Sequence, residues 1–349
     1  MDSTPGDPIM VDASLSQLRE LLYAEPSNEA WEAICNCIDG LDEGLVQVAL
    51  EYVETHAQTW PDEVRTGSIK QAGKARWWPL VRFAAGHGPS LKAALPHLSK
   101  ITMLDFGTSY IEDEGAKALA ESPTLSNLRV LELNLNKLGP EGAMTLASSP
   151  YLTQLTSLDL SYNEVGDAGV EALAASKSLA GLKRLELTSN GVGKAGARAI
   201  AESSCLTQLT MLDLIDNGVH TPGAEALAAS ENMASLTELH LSHNDIRDGG
   251  AVALANSPHL TGLIKLYLIW NRIGDEGARA LAESKAFAGL TLLELSDNRI
   301  GDEGAVAFAA APNLRELRTL ELGGNWLGSD GWNALTSSKT LTKIIWPKW

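Results

Sequence analysis

One residue recurs along most of this chain at a fixed interval, and that interval limits what the chain can fold into. Asn136, Asn163, Asn190, Asn217, Asn244, Asn271, Asn298 and Asn325 stand 27 residues apart, and Ser109 holds the same phase one interval earlier. A unit of this length is too short to bury an apolar face by itself. The nine in-phase copies must therefore stack in a linear array, each serving as its neighbour's core, with the two ends needing covers.

Read backwards from the Asn, each copy follows L-x-x-L-x-x-L-x-L-x-x-N, as in Leu152, Leu155, Leu158, Leu160 and Asn163. The alternating pair Leu158 and Leu160 predicts a short parallel strand with its leucines turned inward. The Asn amide is expected to bond the backbone of the turn that follows it, so that stacked copies produce a column of asparagines. Read forwards, the cleanest copies run Gly-Asp-Glu-Gly-Ala-x-x-Leu-Ala, as after Ile273 and, with Phe308 for the Leu, after Ile300. Asp113, Asp167, Asp248, Asp275 and Asp302 stand where a helix N-cap is wanted, with Thr221 and Ser329 in the same place elsewhere. Pro222 suits a first helical position. Each copy thus reads as strand, turn, helix and return loop.

Over roughly residues 98–349 this pattern resembles leucine-rich repeats of the helix-containing class typified by ribonuclease inhibitor. The segment from Gly277 to Ala282, Gly-Ala-Arg-Ala-Leu-Ala, is also similar to the GALA-type repeats of bacterial effector proteins. The resemblance implies an α/β leucine-rich-repeat solenoid, a right-handed arc with a parallel sheet on the concave face and helices on the convex face. It implies a binding scaffold only loosely, because one fold hosts many functions. The chain departs from the inhibitor class in having only the cysteines Cys35, Cys37 and Cys205, and in the small Gly and Ala residues of its helices. Strands repeat about every 4.8 Å and helices about every 8 to 10 Å, which bends such an array. Alanine-rich helices approach more closely, so a shallow arc is expected, not a closed ring.

The rest of the chain lacks the repeat. Residues 1–12 read as a disordered tail and 13–97 as an all-α N-terminal cap. Its apolar faces are Leu15, Leu18, Leu21 and Leu22, then Trp31, Ile34, Cys35 and Ile38, then Leu45, Val48, Ala49, Tyr52 and Val53. Residues 98–349 hold the nine repeats and a C-terminal cap in which Trp346 and Trp349 cover the last layer. Between Val64 and Lys100 lie seven basic residues and no acidic one, with Trp77 and Trp78 among them. This segment packs on the first repeat or forms a second docking surface for an acidic partner. GALA-type effectors carry an F-box ahead of their repeats; here Pro26, Glu29, Ile34, Ile38 and Trp60 match that motif only loosely and out of register.

A formal net charge of −17 repels nucleic-acid phosphates and anionic membranes and attracts basic proteins. Three cysteines are too few for a disulfide framework, and no basic leader or membrane-width apolar run occurs. The expectation is a cytoplasmic monomer that binds a basic protein partner and no nucleic acid or membrane. No P-loop lysine follows the periodic glycines and no nucleophile signature stands out. The protein is accordingly expected not to be an enzyme and to need no cofactor.

The repeat register also aligns surface residues. Four before each Asn the column reads Asp105, Glu132, Asp159, Glu186, Asp213, His240, Tyr267, Glu294 and Glu321, carboxylates at seven of nine positions. Like charges on adjacent strands repel, so such a row serves a cationic partner or merely keeps an exposed sheet soluble. One before each Asn the column reads Thr108, Leu135, Tyr162, Ser189, Asp216, His243, Trp270, Asp297 and Gly324. Side by side, the columns bring His240, His243, Tyr267 and Trp270 onto neighbouring strands. Ile215 and Ile269 lie beside them, and Asp213, Asp216, Glu294 and Asp297 around them. Aromatic anchors inside a charged rim have the composition of a partner-binding hot spot. Three other readings stand beside it: a regulator of a small GTPase, offered only Lys137, Arg272 and Arg299 on the rim after the Asn; a ubiquitin-ligase substrate adaptor, which the GALA-type resemblance implies; and a metal-binding or hydrolytic centre at His240 and His243.

Overall fold

The computed structural model describes residues 13–23, single positions between 30 and 37, and residues 102–344. Helix α1 (Ala13–Leu22) lies within the expected N-terminal cap. Of the second expected cap face only Ile34 is described, helical and buried; the third face, the basic segment with Trp77 and Trp78, and Trp346 and Trp349 lie outside the described residues.

From residue 102 on, strand and helix alternate. The strands are β1 (Met103–Asp105), β2 (Val130–Glu132), β3 (Ser157–Asp159), β4 (Arg184–Glu186), β5 (Met211–Asp213), β6 (Glu238–His240), β7 (Lys265–Tyr267), β8 (Leu292–Glu294) and β9 (Thr319–Glu321). They form one parallel sheet in sequence order, each pairing with the next at a register of one repeat, as in Leu212↔Leu239 and Asp213↔His240. Each strand is three residues long with a buried leucine at its centre, and the second leucine of the predicted pair, as Leu160 after Leu158, is buried just beyond the strand. β1 and β9 do not pair with each other, so the sheet is open, as expected against a closed ring.

The helices are α2 (Glu112–Ala120), α3 (Pro140–Ala147), α4 (Gly166–Ala175), α5 (Lys194–Ala201), α6 (His220–Ala229), α7 (Arg247–Ala255), α8 (Asp275–Glu283), α9 (Asp302–Ala310) and α10 (Ser329–Thr336). One continuous core of leucines, with Phe106, Phe287 and Phe308, runs between helices and sheet.

Three hydrogen-bond ladders tie the repeats together, and each runs between copies. Asn163 Oδ1 accepts from the backbone of Asn136 and Leu138 at 2.9 Å each, while its amide nitrogen donates to the carbonyls of Leu133 and Leu160. The expected Asn column exists, but it satisfies the turn of the preceding repeat, not the turn that follows the Asn. Serines after the helices donate to the last carbonyls of the helix before, as Ser257 does to Ala228 and Ser284 to Ala255.

The third ladder corrects the expected caps. No aspartate caps its own helix; each caps the next one. Asp248 Oδ1 accepts from Gly274 at 2.7 Å and Gly277 at 3.0 Å, the N-cap and third residue of α8, and Asp275 and Asp302 repeat this on α9 and α10. The carboxylate lies so close that a Cβ on Gly277 would stand 2.8 Å from it. Wherever the preceding repeat supplies the aspartate, the N-cap glycine is extended, from φ −89°, ψ −173° at Gly139 to φ −102°, ψ −162° at Gly274. Where it supplies Pro140, Lys194 or Thr221 instead, the next turn switches to a left-handed residue: Gly166 (φ 60°), His220 (φ 52°) or Arg247 (φ 57°). With no carboxylate to receive the extended N–H, the chain redirects it to a backbone carbonyl: Gly166, His220 and Arg247 donate to those of Asn190, Asn244 and Asn271.

Candidate functional site

The third residues of the strands form the predicted row, paired in register from Asp105↔Glu132 through Asp213↔His240 and His240↔Tyr267 to Glu294↔Glu321. It is less open than alternation alone implies. Asp105 and Asp213 are only 6% and 7% exposed. Their carboxylates, like that of Asp159, turn back to accept backbone N–H groups two residues on, and Asp213 also accepts from Thr188 Oγ1 at 2.9 Å. Strand ends thus absorb part of the charge. Glu186 shows what remains: burial first, then the carboxylate of Asp159, pushes its carboxyl up, against the counter-pull of Arg184.

At the break in the row, His240 stacks on Tyr267 with ring centroids 4.1 Å apart. Its Nε2 lies 2.8 Å from Glu238 Oε1 and its Nδ1 3.8 Å from Asp213 Oδ2. Lys265 Nζ donates to the other oxygen of Glu238 at 3.2 Å. Burial pulls the Glu238 carboxyl upward, but the hydrogen bonds from His240 and Lys265 outweigh it and hold the group below its ordinary range. Burial, then the carboxylate of Glu238, raises the Tyr267 phenol.

His243 and Trp270 form a second stack, centroids 5.7 Å apart and planes within 12°. They do not share the setting of the first pair, because the residue before each Asn is left-handed in every repeat, from φ 49° at Ser189 to φ 68° at Gly324. That conformation lets the residue's N–H reach the next repeat, as His243 donates to Ile269 at 2.8 Å, and it swings the side chain off the sheet onto the rim. There His243 and the 57% exposed Trp270 line an open cleft of about 550 Å³. Its other wall is the column one after each Asn: Asp245, Arg272, Arg299 and Trp326. Asp245 accepts from Arg247 at 2.8 Å and Arg272 at 3.0 Å, and the guanidinium of Arg247 foremost holds its carboxyl low.

The ten predicted residues therefore divide. Asp213, His240 and Tyr267 cluster at the strand ends. Asp216, His243, Trp270 and Asp297 line the rim cleft. Glu294 spends its carboxylate on Ser296. Ile215 and Ile269 are half-buried. The two imidazoles face different partners, and among the described residues no group of three or more His, Cys, Asp or Glu is arranged to hold a metal ion. Sequence reasoning passed over Glu238, Lys265, Asp245 and Trp326, and used Arg272 and Arg299 only as rim cations. Aligning the first strand residue and the residue after the Asn would have found all six.

A family model described as "Leucine Rich repeat" matches residues 124–147, 151–174, 182–201, 232–255, 258–282 and 290–309. The solenoid is built of leucine-rich repeats. Among solved structures, an internalin (inlF) from Listeria monocytogenes is similar at 22% identity and TM-score 0.50, covering 73% of this chain and 64% of its own. A TLR13–ssRNA13 complex matches at 21% identity and TM-score 0.47, covering 72% of this chain and 32% of its own. The yeast Rad7 and Elc1 complex matches at 14% and 0.49, covering 91% and 74%. This chain thus spans under two thirds of the internalin's length and about a third of the TLR13 chain's. The internalin likeness bears on fold alone. No curated protein matches the sequence. Among the described residues no helix is long and apolar enough to cross a membrane. Leucine-rich repeats are generally protein-interaction scaffolds.

Proposed function

We propose that this protein is a non-enzymatic scaffold that takes a basic or mixed-charge segment of a protein partner where its acidic sheet row is broken, at His240, Tyr267, His243 and Trp270. The observation that carries the reading is the pair of stacks, His240 on Tyr267 and His243 on Trp270, on two neighbouring repeats. Stacking fixes both aromatic rings in advance, so little side-chain entropy is lost when a partner covers them. Asp216 and Asp297, exposed on the rim, supply the charge that favours a cation. We further read the repeats as the helix-containing, ribonuclease-inhibitor-like class with GALA-type helices, and the chain as a cytoplasmic monomer with a helical cap over 13–97; the alternation of strand and helix supports the helix-containing class, the Gly-Ala-x-x-Leu-Ala segments the GALA-type helices, and the sparse cysteines a reducing compartment.

The test is a double substitution, Tyr267→Ala with Trp270→Ala. Immobilised protein is exposed to lysate and the retained proteins are identified by mass spectrometry. The expected result is loss of retained proteins bearing basic segments, with the thermal midpoint lowered by only a few degrees, because one ring is mostly exposed and the other is half-buried. Retention of the same proteins by the double variant would remove the reading.

A further inference from the structure

The rim cleft has two chemically opposite walls along the Asn ladder. On one side stand Asp216, the braced Trp270 and Asp297; on the other, Asp245, Arg272, Arg299 and Trp326, where Asp245 already engages Arg272 and Arg247, so that Arg299 is the uncompensated cation beside the Trp326 indole, which is 67% exposed. Asp297 and Arg299 flank Asn298, yet among the described residues neither side chain has a hydrogen-bond or ion-pair partner. Both charges face the solvent of an open cleft. Repeat nine contributes only Gly324 to the acidic wall, and Asp297 leans into the space so vacated: a Cβ there would stand 2.1 Å from its Oδ1.

An acidic wall set against one whose free charge is the Arg299 guanidinium fits a ligand that also carries opposite charges on opposite sides. An extended peptide does this whenever basic and acidic residues alternate, since successive side chains point to opposite faces. The spacing agrees. Asp216 and Asp297 are three repeats apart, roughly 14 Å at the strand pitch, which is the reach of residues i and i+4 of an extended chain at about 3.4 Å per residue. Residue i+2 then meets His243 and Trp270, i+3 lies opposite Arg272 and Arg299, and i+5 reaches Trp326.

We propose that this cleft binds an extended peptide segment of the partner with the pattern basic, any, apolar, acidic, basic, apolar. The segment's basic residues face Asp216 and Asp297, its acidic residue faces Arg299, and its apolar residues cover the indoles. This deepens the scaffold reading and rests on it. It differs in requiring an acidic residue in the ligand, which an acidic surface alone would reject.

The experiment uses the full chain and two fluorescein-labelled probes, Lys-Ser-Leu-Glu-Lys-Leu and its counterpart with Lys in place of Glu, each between Gly-Ser flanks, measured by anisotropy. The alternating probe is expected to bind at least about tenfold tighter, since a like charge placed against Arg299 is strongly disfavoured. Arg299→Glu should reverse that preference, and Trp326→Ala should weaken the alternating probe. Both positions are exposed, so neither change threatens the fold. Equal binding of the two probes, an unreversed preference in Arg299→Glu, or binding of neither probe overturns the proposal. If the all-basic probe wins and responds to Tyr267→Ala but not to Arg299→Glu, the scaffold reading survives and the cleft proposal alone fails.

Discussion

The left-handed residue before each Asn is a cost that every repeat bears, and eight of the nine bear it without glycine. Left-handed backbone costs a residue with a Cβ roughly 1 to 2 kcal/mol; the N–H bond to the next repeat offsets it. Two glycines separate this cost from side-chain crowding. Gly191 (φ 68°) has nothing within 4 Å of where a Cβ would go, whereas Gly324 (φ 68°) has Asp297 at 2.1 Å. Gly191→Ala should therefore cost about 1 kcal/mol in urea denaturation. Gly324→Ala should cost more and should also displace Asp297 from the cleft. Equal costs would mean that Asp297 moves freely and the vacancy at Gly324 matters little. None of this was legible beforehand. Alternation predicts faces for strand residues, and His243 and Trp270 lie beyond the strand, where a positive φ breaks the alternation.

At the scale of the element, the 27-residue period announced strands, helices and register, because all three follow from the positions of Leu, Asn and Gly within one copy. The destinations of polar side chains were not legible, because their partners sit 25 to 30 residues away in the neighbouring copy. The aspartate ladder illustrates this: a good N-cap residue in an N-cap position caps the next helix. Asp248→Ala should leave the N–H groups of Gly274 and Gly277 without their acceptor, at a cost of about 1 to 2 kcal/mol. Amide exchange should quicken at those two residues, with Asp248→Asn milder because it keeps an acceptor. Unchanged exchange at both would show that the cap contributes nothing in solution. The ladder's gap also admits repair. Thr221→Asp with Arg247→Gly supplies the carboxylate and the extended glycine together, and should raise the urea midpoint. Thr221→Asp alone should not, because Arg247 is left-handed and ties its guanidinium to Asp245.

At the scale of the whole molecule, stacking converts a charge surplus of 44 acidic over 27 basic residues into a row. The carboxylates recur at the strand pitch, about 4.8 Å, and are not scattered over a sphere. Surface ion pairs such as Arg279–Glu303 and Lys343–Glu316 return little. Glu186 lies inside the row between Asp159 and Asp213, and its raised carboxyl means that folding disfavours its charged form. The sign follows. A raised carboxyl destabilises the fold above its folded pKa, and that penalty disappears as pH falls below the ordinary glutamate range. Glu186→Gln should accordingly stabilise the protein at pH 7, with the gain vanishing near pH 4 and below. The same row predicts the response to salt. Between about 0.01 and 0.1 M ionic strength the screening length falls from roughly 30 to 10 Å, so the thermal midpoint of the parent protein should rise, and that of Glu186→Gln should rise less. A midpoint that falls with salt would mean that ion pairs outweigh the row. The row would then give no electrostatic reason for the partner to be basic.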